Sequence, residues 1–173
     1  MDSDDFEQDL CELNHRFGGT HSDRDLLTDE HLRLDLYRRA RGGLRVEQLT
    51  DLILADPDVV MADAALVELI DHAAAEQSGV AFGAWSSAVL DAGVERRAFP
   101  SKRIYEWRLL YSLDDPSSDR LADLIAASDW AQRNAAERTT QGTVLEALAE
   151  HGRTKRTRSL AGERLRASGG RGT

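Results

Sequence analysis

The densest group of chemically capable side chains in this chain is basic: Arg153, Lys155, Arg156, Arg158, Arg164 and Arg166 stand close together near its C-terminal end. A guanidinium carries a planar fork of donors that matches carboxylate and phosphate oxygens. Such a run is therefore a candidate surface for an acidic protein segment or for nucleic acid. From His151 onward seven basic residues stand against Glu163 alone, a balance of +6, whereas the first 150 residues carry −15. An acidic body repels polyanions while the terminal segment attracts them. The plainer use of the same residues is to complement an acidic neighbour in the same chain.

Cys11 and His15 are four residues apart, a spacing that puts both on one helix face, with His21 and His31 nearby in sequence. Thiolate and imidazole together suit a transition metal. The spacing matches no zinc module, however, and a buried cysteine with solvent-facing histidines explains the same residues, so no metal or other cofactor is expected. The carboxylates are numerous, and no pair stands out from the acidic background as an acid and a base held in different environments. Ser86 and Ser87 follow Trp85 without the Gly-x-Ser-x-Gly elbow, and the C-terminal glycines form neither a phosphate loop nor a dinucleotide fingerprint. No catalytic residue is assigned, and the reading is of a non-enzyme. Cys11 is the only cysteine, which excludes an internal disulfide and points to a reducing, cytoplasmic address. The opening residues are acidic, and no run reaches the ~18 to 20 apolar residues of a membrane span, so neither export nor a membrane partner is expected.

The elements that must position these groups read as helices. Apolar residues recur at spacings of three and four throughout, and the one alternating stretch, Leu32, Leu34 and Leu36, is preceded by acids and followed by Arg38, Arg39 and Arg41, as a helix dipole prefers. A first helix over 3–17 places Phe6, Leu10, Leu13 and Phe17 on one face and is expected to be only loosely attached, as is everything up to residue 20. Val46, Leu49, Leu52 and Ile53 line a short helix. Asp56 and Pro57 then read as the N-cap and first-turn proline of a longer one running to about Gln77. Helices through Phe82, Trp85 and Val89, from a Ser101 cap through Trp107 and Tyr111, and from an Asp115–Pro116 cap through Leu124 follow. Three short ones over 130–138, 143–150 and 154–165 complete the series. Trp85, Trp107 and Trp130 fall on apolar faces and are expected in the core. One domain over 1–167, followed by a disordered tail over 168–173, is the expected organisation.

The segment 129–165, DWAQRNAAERTTQGTVLEALAEHGRTKRTRSLAGERL, has an internal period. Arg133 and Ala136 recur 25 residues on as Arg158 and Ala161, around a central helix with Val144, Leu145, Leu148 and Ala149. It resembles the leucine-rich repeat variant, a relative of HEAT repeats. A looser echo is LTDLILADPDVVMADAALVELIDHA upstream. In such repeats each helix pair leaves one face that only the next pair covers. The segment departs from the pattern where Gln141 and Gly142 replace the usual proline, and the chain lacks the cysteine cluster of some members, so no iron-sulfur role and no catalytic residue carries over. The resemblance implies an all-α fold of short antiparallel helix pairs stacked as a small HEAT-like α-solenoid or irregular helical domain. It also implies a non-catalytic scaffold or adaptor that binds another protein or peptide. The alternatives are a nucleic-acid-associated regulatory factor working through the basic C-terminal helix, and an acidic inhibitor of the immunity or antitoxin kind.

Overall fold

Backbone amides left open at a helix start need acceptors, and this sequence supplies Ser, Asp or Thr at most of its helix starts. A computed structural model describes residues 3–18 and 21–169, and among them every regular element is helical. The helices are α1 (Ser3–Leu13), α2 (Asp23–Thr28), α3 (Glu30–Ala40), α4 (Val46–Leu54), α5 (Val59–Glu76), α6 (Gly79–Asp91), α7 (Ala98–Tyr111), α8 (Ser118–Ala126), α9 (Asp129–Arg138), α10 (Gly142–His151) and α11 (Lys155–Gly169). A π-helical turn (Asn14–Gly18) extends α1, and short 3₁₀ turns occupy Val94–Arg96 and Ser112–Asp114. The fold is all-α. None of the described helices is long and apolar enough to cross a membrane.

Capping follows the expected chemistry with shifted positions. Both Asp-Pro pairs lie just outside a helix, because a residue preceding proline is driven out of the helical region. The cap is the residue after the proline: Asp58 accepts from Val60 and Met61, and Ser117 accepts from Arg120. Ser101 is no cap either, since α7 begins at Ala98. Pro100 sits in that helix's first turn, where its missing N–H leaves no bond unmade, and the Ser101 hydroxyl donates back to the Ala98 carbonyl.

The chain divides into two compact units on either side of the Ile104–Tyr105 peptide, a boundary inside α7. In the first, α5 is the central helix: Met61, Ala62, Ala65, Leu66, Leu69, Ile70, Ala73 and Ala74 are all buried. Its polar positions hold neighbours by charge, Asp63 to Arg97 at 2.7 Å and Asp71 to Arg103 at 2.8 Å. The N-terminal helix packs into the first unit. Phe6, Leu10 and Leu13 are buried, and Asn14 donates to the His21 carbonyl and to Asp23 at 3.0 Å each, tying the π-turn to α2. Residues 19 and 20 lie outside the described residues. So do 170–173 of the tail read as disordered, while Ser168 and Gly169 belong to α11.

Between α3 and α5, Arg38 donates to Glu68 at 2.6 Å in a half-exposed pair. The hydrogen bonds from Arg38, opposed by partial burial, hold the Glu68 carboxyl below its ordinary value of 4.5. A carboxyl whose value is lower folded than unfolded contributes stability that is complete above the unfolded value and lost as pH falls through the folded one. Urea midpoints taken from about pH 6 down to about pH 3 should therefore fall less steeply in Glu68→Gln than in the parent. The difference will be small, because exposed pairs contribute at most about 1 kcal/mol.

The core of the second unit joins Leu113, Leu124, Ala135, Ala136, Val144, Leu145, Leu148 and Ala161, with Leu109, Leu110, Leu121, Ile125, Leu160 and Leu165 packed around it. Alanine on α9 and α11 lets those backbones approach closely. α10 packs most extensively on α11, across the turn at Gly152, where a side-chain carbon would collide with the Leu148 carbonyl.

Candidate functional site

The six basic residues read from the sequence fall on or just before α11, and packing sorts them. With about 100° per residue, Thr157, Ala161 and Leu165 define the inward face, and Thr157 and Ala161 are buried. Arg164 belongs to that inner side. Its guanidinium donates to the Ala136 carbonyl at 2.7 Å, satisfying a carbonyl in the last turn of α9. It is therefore a packing residue and drops out of the candidate surface.

Lys155 and Arg166 lie on the opposite face with Ser159 and Gly162, while Arg156 and Arg158 flank that face on either side. All four cations are exposed. Lys155 and Arg166 differ by about 20° in azimuth and stand about 16 Å apart along the axis. Arg158 spends one nitrogen on the Gly152 carbonyl at 2.6 Å, which fixes its stem across the turn. Arg153, just before the helix, approaches Asp129 at 3.3 Å in an exposed contact, and its backbone N–H donates to Gln132 Oε1 at 2.7 Å. Lys155, Arg156 and Arg166 make no ion pair and no side-chain hydrogen bond among the described residues. Among the described residues, carboxylates within ion-pair distance meet one member of the cluster, Arg153, and Glu163 is the one acid on α11 itself.

The position of Lys155 and Arg156 is unfavourable for the helix alone, whereas Arg166 stands in the last turn, where a cation is favoured. An α-helix N-terminus carries about +0.5 charge, so cations there cost about 0.3–1 kcal/mol each where acids would stabilise. The first turn of α11 has no acid. Thr154 supplies the cap by accepting from the Thr157 N–H at 3.1 Å. Helix α11 is held in place by its inner face, by Arg164 and by the buried Gln132 amide.

The other sequence candidates are accounted for structurally. Cys11 is half-buried rather than buried, His15 and His31 are exposed, and the π-turn beginning at Asn14 breaks the simple four-residue register of Cys11 and His15. Burial, then the charge and hydrogen bond of Asp23, raise the Cys11 thiol above its ordinary value, which disfavours the thiolate a metal requires. Among the described residues no three His, Cys, Asp or Glu side chains gather closely enough to hold a metal ion. The Ser86 and Ser87 hydroxyls both donate to the Gly83 carbonyl of their own helix. Trp107 is buried as expected. Trp85, stacked on Phe82 at 5.6 Å, and Trp130 are only half-buried.

Sequence reasoning missed the strongest polar cluster in the first unit. Arg33 grips Asp56 with Nε at 2.8 Å and Nη2 at 3.2 Å, and its remaining nitrogen donates to the Leu26 and Leu27 carbonyls. Tyr37 donates to the same carboxylate at 2.8 Å, and burial beside that charge pushes its phenol well above the ordinary range. Every one of these groups is satisfied, so the cluster locks α3 to the turn before α5 and presents nothing to a ligand. The available signal was Arg33 set between Leu32 and Leu34, masked by the exposed arginines that follow it. Compared with known protein families, curated proteins and solved structures, the chain has no significant match, and its candidate surface rests on geometry alone.

Proposed function

We propose that this chain is a non-catalytic protein-binding scaffold of short, stacked helix pairs, related in design to HEAT-like repeats, that presents the outer face of α11 to an acidic segment of a partner protein. The observation that carries the reading is the row of Lys155, Arg156 and Arg166, which have no ion-pair partner among the described residues, the first two at a helix start whose dipole disfavours cations. A carboxylate-bearing partner would relieve both the mutual repulsion and the dipole cost. In support of the stacked-repeat part, Ala136 and Ala161, the positions that recur 25 residues apart, are both fully buried in one core, while their companions Arg133 and Arg158 are exposed.

A protein partner is favoured over nucleic acid because net −15 over the first 150 residues would oppose a long polyanion, whereas a short acidic segment need meet only α11. The row of cations favours nucleic acid as the second reading. Affinity capture from native extract at low and high salt, with and without nuclease, separates the two when run beside a Lys155→Glu, Arg156→Glu, Arg166→Glu variant. These side chains are exposed, so the variant should fold. The expected result is a defined protein partner, insensitive to nuclease, whose affinity falls about tenfold or more in the variant. Partners lost on nuclease treatment, with binding that weakens steeply with salt, would establish the nucleic-acid reading instead. A partner retained equally by parent and variant would remove α11 from the interface.

A further inference from the structure

The second unit also contains an open pocket of about 220 Å³ built on the C-terminal half of α7, the 3₁₀ turn and the end of α9. Trp107, Leu110, Tyr111 and Leu113 supply its apolar lining, and Asp114 and Arg138 supply charge. The wall is closely packed at Trp107. Trp107 is 4% exposed, with the Trp130 ring packed against it edge-on at 5.3 Å and the Arg138 guanidinium 4.7 Å from its ring centroid.

A guanidinium held against an aromatic ring by its charge keeps its N–H donors for other acceptors. Arg138 makes no hydrogen bond and no ion pair among the described residues, so its donor fork is both positioned and unspent. It is the last residue of α9, where the helix dipole favours a cation and holds the charge in place. Asp114 lines the same pocket without pairing to Arg138. A cavity with an aromatic wall, one fixed anion receptor and one separate acceptor is complementary to a particular kind of molecule. That molecule has an apolar body, a carboxylate to take the Arg138 fork in bidentate fashion, and an N–H for Asp114. The volume lies below the roughly 300–1,000 Å³ of drug-sized sites and suits a single amino-acid unit.

We propose that this pocket binds an N-acylated apolar amino-acid unit with a free carboxylate, the apolar side chain against Trp107, Leu110 and Leu113, the carboxylate on Arg138 and the amide N–H on Asp114. A free acyl amino acid and the C-terminal residue of a peptide share this chemistry. The site is separate from the outer face of α11 and stands on different residues.

The test is an NMR titration that follows the indole N–H signals of Trp107 and Trp130. The probes are N-acetyl-L-phenylalanine, its primary amide, and a hexapeptide ending in phenylalanine with a free or an amidated terminus. Both free acids should shift the Trp107 signal saturably, and both amides should bind about tenfold or more weakly. Arg138→Gln, at an exposed position that leaves the backbone spectrum intact, should weaken the acids by a similar factor and leave the amides unchanged. The variant carrying Lys155→Glu, Arg156→Glu and Arg166→Glu should bind the probes like the parent, so failure of the α11 reading and failure of this one are told apart. A hexapeptide acid binding at least about tenfold tighter than the acetyl amino acid would assign the site to a chain terminus; near-equal affinity would assign it to the small molecule. Equal binding of acid and amide, indifference to Arg138→Gln, or an unmoved Trp107 signal with every probe up to its solubility would overturn the proposal.

Discussion

Asp56→Ala is expected to destabilise the first unit by about 3–5 kcal/mol, the cost of leaving one partner of a buried ion pair unmatched. The Asp56 side chain is fully buried and that of Arg33 is 5% exposed, so water cannot replace the lost carboxylate. Tyr37 and the Asp58 N–H lose their acceptor in the same step. In urea, with a slope of about 2 kcal/mol per molar, the midpoint should fall by on the order of 2 M. A triple substitution, Arg33→Met, Tyr37→Phe and Asp56→Leu, removes the three polar side chains together and should recover part of the loss, because apolar replacement of a whole buried pair is often neutral while the Leu26 and Leu27 carbonyls and the Asp58 N–H stay without their partners. A single variant within about 1 kcal/mol of the parent would show that the network does not hold α3 against the turn before α5.

The second large effect is expected at Gln132, whose side chain is fully buried in the other unit. Its amide nitrogen donates to the Leu124 and Ile125 carbonyls at the end of α8, and its oxygen accepts from the Arg153 N–H ahead of α11. One side chain thus serves three backbone groups from two connections. Gln132→Leu keeps much of the volume and removes all three partners, at a cost of about 3 kcal/mol. Gln132→Glu should cost more at neutral pH, since a carboxylate would face two carbonyls with nothing to donate. Urea unfolding followed by tryptophan fluorescence reads both, with Trp107 and Trp130 reporting from the same unit. If Gln132→Leu unfolds at the parent's midpoint, α11 is held by its apolar face and Arg164 alone, and the orientation of its basic row does not depend on this amide.

Much of the architecture was legible before any coordinates. The 3.6-residue period, Ser and Asp at helix starts and glycine at helix ends are local properties of the chain, and they specify short helices wherever they occur. Leu10 and Leu148 lie on the faces that their spacing assigns and are fully buried. The errors cluster where a side chain had two competing uses. Asp56 reads as a cap, but a carboxylate within reach of Arg33 and Tyr37 gains more from a buried network than from two exposed amides, and the cap passes to Asp58. Arg164 reads as one more member of a basic run, yet a 2.7 Å bond to the end of α9 takes it inward.

By itself, then, the sequence determined the helical class, the position of nearly every helix and the concentration of positive charge in the last one, because periodicity, caps and charge are written residue by residue. Tertiary structure decided which of those charges are spent. Arg33, Arg38 and Arg164 are consumed by partners 23, 30 and 28 residues away, while Lys155, Arg156, Arg166 and Arg138 are not. The same holds for the pocket, where Trp107 and Arg138 meet only because α7 and α9 pack together. Whether a charge is available to a partner depends on what the fold brings within about 3 Å of it, and no spacing within a single helix encodes that.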